Sequence, residues 1–211
     1  MSAKTHAVEN QVPPLEPYDA FESDTVLREA VERWCDPDTR ERVTRLGRMA
    51  GSPEYAQLGI DANTYTPVLR THDRFGSRID EVDFHPSWHA LLQTAVENGL
   101  HASPWSDAAP DAHFERAAKF YLWSQVEAGH GCPISMTYAA VPALRHAPEI
   151  SQLVEPRLAA RRYEPRLRWI GEKGGALCGM GMTEKHGGSD VRANMTQARF
   201  AERTDLGDAY L

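Results

Sequence analysis

Between residues 24 and 144 apolar side chains return at intervals of three and four, and proline or glycine stands at nearly every break in the pattern. That spacing restricts the chain to a stack of short amphipathic helices, because an i, i+3, i+4 stripe faces one side only at 3.6 residues per turn. Ser23 or Asp24 is placed to cap a first helix with Val26, Leu27, Ala30, Val31 and Trp34 inward, stopped by Pro37. A second piece is expected over residues 38–50, with Val43, Leu46 and Met49 inward and Gly51 ending it. Ser52 and Pro53 open a third. The pattern then turns irregular from residue 64 to 83, where RFGSR marks a loop or a small hairpin.

Helical spacing resumes with Trp88, Leu91, Leu92, Ala95 and Val96 on one face and Gly99 as terminator. His85 and His89 lie four apart, but Pro86 follows the first and the glutamate of HExxH is missing. Capping and packing are therefore their expected roles, and no metal is expected. Residues 109–129 form the longest predicted helix, with Phe114, Ala117, Ala118, Tyr121, Leu122, Gln125 and Val126 as its buried face. After the GHGCP break, residues 134–144 are apolar nearly all round, which places them at the centre of a bundle. In residues 148–175 six cations interleave with four glutamates, a pattern that suits a solvated face and linker better than an anion site.

The chemistry concentrates in residues 177–196, LCGMGMTEKHGGSDVRANMT. A short apolar run to Met182, expected as a strand, empties into a loop with adjacent glycines, hydroxyls and charges. Gly187 and Gly188 can take positive φ and offer bare backbone N–H groups to a phosphate or pyrophosphate. Thr183 and Ser189 add a hydroxyl each. A dinucleotide fingerprint would need glycine at position 184, which is Glu184, and no Gly-Lys-Ser/Thr of a P-loop occurs.

MTEKHGGSDVRANMT resembles the flavin-binding signature of the acyl-CoA dehydrogenase family, and its Lys185, double glycine and Val191 resemble the AidB-like branch, proteins of the adaptive response to alkylation. KTHAVENQ (residues 4–11), FHPSWH (84–89) and QVEAGHGCPISMTYAA (125–140) are similar to the same branch, so the likeness runs nearly end to end. The fold so implied is mainly α: an extended arm over residues 1–22, a helical domain over 23–175, and over 176–211 the truncated start of a β-barrel-like middle domain carrying the flavin motif. Because residues 197–211 enter a returning strand around Leu206, Gly207 and Asp208, the chain is expected to be part of a longer one.

The resemblance further implies FAD as cofactor and an acyl-CoA thioester as substrate, oxidised by α,β-dehydrogenation with hydride transfer to the flavin. Its cofactor contacts fall on Met182, Thr183, Glu184, Lys185, His186, Gly187, Gly188, Ser189, Asp190 and Val191, with Ser189 also near the thioester. Cys132, Ser135, Met136 and Thr137 are secondary candidates. No catalytic residue is expected here, since the family's base lies in a later segment. A homo-oligomer is implied, a tetramer by resemblance, with the proline-containing arm as an interface element. The alternative is a flavin-containing DNA-protecting protein of the alkylation response with little dehydrogenase activity. DNA contact would then come through a later segment, for a net charge of −7 disfavours broad nucleic-acid affinity. No run of about 18 apolar residues occurs, so no membrane span is expected, and a cytoplasmic protein is. Cys35, Cys132 and Cys178 are read as reduced and mostly buried thiols.

Overall fold

Residues 5–185, 187–204 and 207–211 are described by the computed structural model. Two compact units divide the chain, Met1–Cys178 and Gly179–Leu211.

In the first unit α1 (Thr25–Trp34), α2 (Pro37–Ala50) and α3 (Pro53–Thr64) follow one another closely. Each starts on a side-chain oxygen that accepts a first-turn N–H: Asp24 from Leu27, Asp36 from Thr39 and Ser52 from Tyr55. Pro37 does not merely stop α1; it opens α2 from the first turn, where its missing N–H is not needed. On α1 only one stripe is inward. Val31 is buried, whereas Val26 (79% exposed) and Trp34 (61%) face solvent, which corrects the wider face expected from apolarity alone. Gly51 ends α2, but at φ −90° rather than in the left-handed region. Its lack of a Cβ is required by the crossing arm, since a Cβ would stand 2.0 Å from the Tyr18 carbonyl oxygen.

β1 (Val68–His72) and β2 (Arg78–Asp83) form an antiparallel hairpin pairing Val68 with Asp83 and His72 with Arg78. Then come α4 (Pro86–Glu97), α5 (Ser103–Ser106), α6 (Ala112–Trp123), α7 (Gly131–Leu144) and α8 (Pro148–Leu158). His85 caps α4 by accepting the Ser87 N–H on its Nδ1, and Gly99 turns the chain after it at φ +76°. α2 packs on α6, α3 on α4 and α7 on α8. The shared core holds Val43, Leu46, Leu91, Leu92, Leu122, Trp123 and Ile134, all within 1% of full burial. Burying each such side chain is worth about 1.5–3 kcal/mol.

Two helices differ from their sequence expectation. α6 is shorter than residues 109–129, because after Ser124 the backbone bonds tighten to three-residue turns, Gln125 N–H to the Leu122 carbonyl at 3.3 Å and Val126 N–H to the Trp123 carbonyl at 3.1 Å. Its inward face is also rotated: Ala117, Tyr121 and Gln125 are exposed, while Glu115, Lys119 and Trp123 are buried. The two charges go inside because they pair, Lys119 Nζ lying 2.5 Å from Glu115, which also receives Arg42 at 2.7 and 2.8 Å. α7 buries Ile134, Thr137, Ala140 and Val141, but Cys132, Ser135 and Ala139 are exposed. Its apolarity outside that stripe comes largely from small residues, not from a central position in this unit. Of the three thiols expected to be mostly buried, Cys35 alone is buried.

Residues 177–182 form no strand, in contrast to the expectation. A strand needs a paired neighbour, and the Cys178 N–H instead donates to the Thr137 hydroxyl at 2.9 Å. The second unit contains a 3₁₀ turn at Val191–Ala193 and the antiparallel pair β3 (Phe200–Thr204) and β4 (Gly207–Tyr210), extended by mutual backbone bonds between Arg199 and Leu211. Of the turn expected at Leu206, Gly207 and Asp208, Leu206 lies outside the described residues and the other two belong to β4.

Candidate functional site

The loop from Met182 to Thr196 is shaped by two polar clasps. Asn194 Nδ2 donates to the Met182 carbonyl at 2.7 Å. Next to it, the Glu184 carboxylate accepts the Met195 N–H at 3.0 Å and both the N–H and the hydroxyl of Thr196. The loop's two ends are thereby drawn together across a separation of twelve residues. Those bonds, with the Thr196 hydroxyl foremost, hold the Glu184 carboxyl below its ordinary range, so it is ionised at neutral pH. Within the loop the Gly187 N–H donates to the Glu184 carbonyl at 3.2 Å, and the 3₁₀ turn is closed by Ala193 N–H to the Asp190 carbonyl at 3.1 Å.

This leaves a polar edge in solvent. Thr183, Gly188, Ser189 and Asp190 are exposed, as are Met182, Lys185 and Val191, and Gly187 is half-buried. A Cβ built on Gly188 would stand 3.7 Å from Thr183 Cγ2, so the Thr183 side chain lies beside the Gly188 backbone. The backbone N–H groups of Gly188 and Ser189 take part in no hydrogen bond among the described residues. Among those residues the glycines with positive φ are Gly76 and Gly99, so Gly188 does not use the left-handed conformation open to it. His186 lies outside the described residues.

The secondary candidates lie on α7, in the other unit. Cys132 and Ser135 are exposed, Met136 is half-buried, and Thr137 is buried, its hydroxyl donating to the Pro133 carbonyl and accepting from Cys178. Nearby, Glu127 accepts the Gly129 N–H at 2.5 Å and both the N–H and Nδ1 of His130 at 2.9 Å. Burial alone would raise the Glu127 carboxyl, but the His130 and Gly129 bonds outweigh it and hold it low. Neither Glu127 nor Glu184 is thus a poised base; both carboxylates are spent on holding the chain's own donors. His89 donates to or accepts from Tyr163 Oη at 2.6 Å, and no group of three or more metal-ligating side chains occurs among the described residues.

Asn194 and Thr196, which close the loop, were not singled out by sequence reasoning. The apolar period that marks helices carries no trace of a polar bond spanning twelve residues. The only available signal was their place at the end of the ANMT tail of the motif.

Residues 10–165 match the family model of the adaptive response protein AidB N-terminal domain. The chain belongs to the AidB-like branch of the acyl-CoA dehydrogenase family. It is 43% identical over 204 residues to AidB of Escherichia coli (strain K12), provisionally named an acyl-CoA dehydrogenase, covering 96% of this chain and 38% of that protein. It is 28% identical over 195 residues to acyl-CoA dehydrogenase family member 11 of Caenorhabditis elegans, covering 90% of this chain and 30% of the relative. This AidB-like chain therefore spans roughly a third of the length of these relatives. Among solved structures, the apo form of Bd2924 superposes with a TM-score of 0.76 at 25% identity, over 92% of this chain and 38% of that one. The Caenorhabditis elegans ACDH-11 structure, determined in complex with C11-CoA, gives a TM-score of 0.70 at 25% identity, over 92% and 33%. The mainly helical fold of the AidB-like chain is that of its family, whose enzymes use a flavin. No helix among the described residues is long and apolar enough to cross a membrane.

Proposed function

We propose that this chain supplies the N-terminal helical part and the flavin-contacting loop of an FAD-dependent acyl-CoA dehydrogenase-like oxidoreductase. The observation that carries the reading is the clasped loop: Glu184 and Asn194 fix its two ends, and Thr183, Gly188 and Ser189 remain exposed with hydroxyls and N–H groups available. Such a donor set fits the polar edge of an isoalloxazine ring and a pyrophosphate, which need several hydrogen-bond donors from one short segment.

In this reading Thr183 meets the flavin ring, while Gly187, Gly188 and Ser189 meet the pyrophosphate, with Ser189 also beside the thioester. Met182, Lys185, His186 and Val191 complete the contact, Asp190 orients the turn, and Glu184 acts through the clasp. A bound FAD would supply the hydride acceptor for oxidation at the β-carbon of an acyl-CoA. The chain's own residues bind and orient; no catalytic base is assigned to any of them, since the Glu127 and Glu184 carboxylates are already committed. The acyl-CoA substrate class is supported by the C11-CoA complex of the C. elegans relative. We assign the exposed arm, residues 5–17, to an interface in a homo-oligomer, a tetramer as in the family at large, working in the cytoplasm.

The test is visible flavin absorbance after purification of the protein expressed from its full reading frame. Wild type is expected to be yellow, and a Thr183→Ala, Ser189→Ala double variant pale with its thermal midpoint retained. A colourless wild type, even when refolded with FAD, would sink the reading, and salt-dependent DNA binding becomes the next assay.

A further inference from the structure

We infer that the helical unit carries a second ligand cleft, shaped for a small aromatic molecule bearing one acceptor oxygen. The cleft, about 810 Å³, opens between the end of β2, the first turns of α4 and residues 163–177. Its walls are Phe84, Trp88, Leu92, Tyr163 and Leu177, so most of what a ligand would touch there is aromatic or aliphatic. Phe84 and Trp88 are stacked 4.0 Å apart at 19°, which presents flat ring surface as a wall.

One polar pair interrupts this surface. His89 Nδ1 lies 2.6 Å from Tyr163 Oη, and both residues line the cleft. A neutral imidazole and a phenol carry one polar proton each and share a single hydrogen bond, so one N–H or O–H of the pair is left over whichever of the two donates. Burial supports the neutral forms of both, lowering His89 and pushing Tyr163 up to about 12. Neither side chain has another hydrogen-bond partner among the described residues, so the pair holds one donor awaiting an acceptor, on Nε2 or on Oη.

The charged rim balances: Arg70, Arg78, Arg166 and Lys173 stand against Asp80, Glu81, Asp83 and Glu164, with Arg166 2.6 Å from Glu164, Arg78 2.6 Å from Asp80, and Arg70 bridging Glu81 and Asp83. A ligand in the cleft therefore meets ring faces and one hydrogen-bond donor inside a balanced rim, which favours an uncharged aryl ketone over an ion. The inference is independent of the flavin reading, since no residue of Gly179–Leu211 takes part.

The experiment titrates the protein expressed from its full reading frame with acetophenone and with ethylbenzene, which differ in the carbonyl oxygen, and reads each dissociation constant by ligand-observed NMR. Acetophenone is expected to bind about fivefold more tightly, the equivalent of one neutral hydrogen bond. The His89→Phe, Tyr163→Phe double variant, which keeps both rings in place, should abolish that preference while ethylbenzene still binds. Trp88→Ala should weaken both. Equal binding of the two probes to wild type, a preference that survives the double variant, or no binding of either up to its solubility limit would overturn the assignment. Retained thermal midpoints separate loss of the site from loss of the fold.

Discussion

The helical unit and the motif-bearing unit are held together by different forces. In the first, Leu46, Leu91, Leu122 and Val31 are completely buried, and even the charged Glu115 and Lys119 are drawn inward, paired with each other and with the half-buried Arg42. In the second, no residue whose burial is described is buried, and shape rests on the Glu184 and Asn194 clasps and one short hairpin. A two-stranded hairpin without a covered face is marginal by itself. Burial gives the first unit stability, whereas polar clasps give the second a defined backbone that keeps its N–H and hydroxyl groups in solvent. A scaffold and a binding edge ask for those two things respectively.

The largest effect that would break this contrast is at Glu115. Glu115→Ala leaves Lys119, 3% exposed, and Arg42 without their carboxylate, and should destabilise the chain by about 3–5 kcal/mol in urea unfolding. Burial would raise this carboxyl, but the Arg42 and Lys119 bonds prevail and bring it to about 2 from 4.5. With its pKa depressed in the folded state, its contribution is complete above pH 4.5 and is lost as pH falls from there towards 2. Leu122→Ala, at a fully buried site, should cost about 2–5 kcal/mol, while Phe200→Ala in β3, at 58% exposure, should stay within about 0.5 kcal/mol. If the two cost the same, burial does not distinguish the units.

An intermediate effect concerns His101, 1% exposed, whose Nε2 lies 3.1 Å from the Ala160 carbonyl. Burial lowers it to about 4 from 6.5. The unfolded chain binds this proton first, so stability should fall as pH drops from 6.5 to 4, by up to about 3 kcal/mol. His101→Gln should flatten that part of the pH profile. The smallest effect is at the clasp: Glu184→Gln should leave the thermal midpoint unmoved yet speed hydrogen exchange at the Met195 and Thr196 amides. Unchanged exchange there would mean that the clasp does not hold the loop.

Local signals were legible where one side chain answers one backbone group. Asp24, Ser52 and His85 cap the helices they precede, Gly99 ends α4, and RFGSR turns a hairpin. Leu91, Leu92, Ala95 and Val96 are inward as their spacing required. What escaped depends on partners distant in the chain. Glu115 and Lys119 lie off the apolar face expected of this helix, and Arg42, which makes their burial tolerable, stands more than seventy residues earlier. Val26 and Trp34 read as core because apolarity does not say how much of a helix a neighbour can cover. The apolar run 177–182 read as a strand because nothing in it shows that the Thr137 hydroxyl takes the Cys178 N–H. The motif itself was plain from its residues, but not the way Glu184 and Asn194 fold it closed.

The most direct measurement is hydrogen exchange, read by mass spectrometry, of the protein expressed from its full reading frame with and without FAD. Slowed exchange concentrated in residues 183–190, with the clasp amides at 195 and 196 protected alongside, is the result expected if the clasped loop is the flavin-contacting edge. Flavin binding that leaves those amides unchanged and protects other segments instead would contradict it.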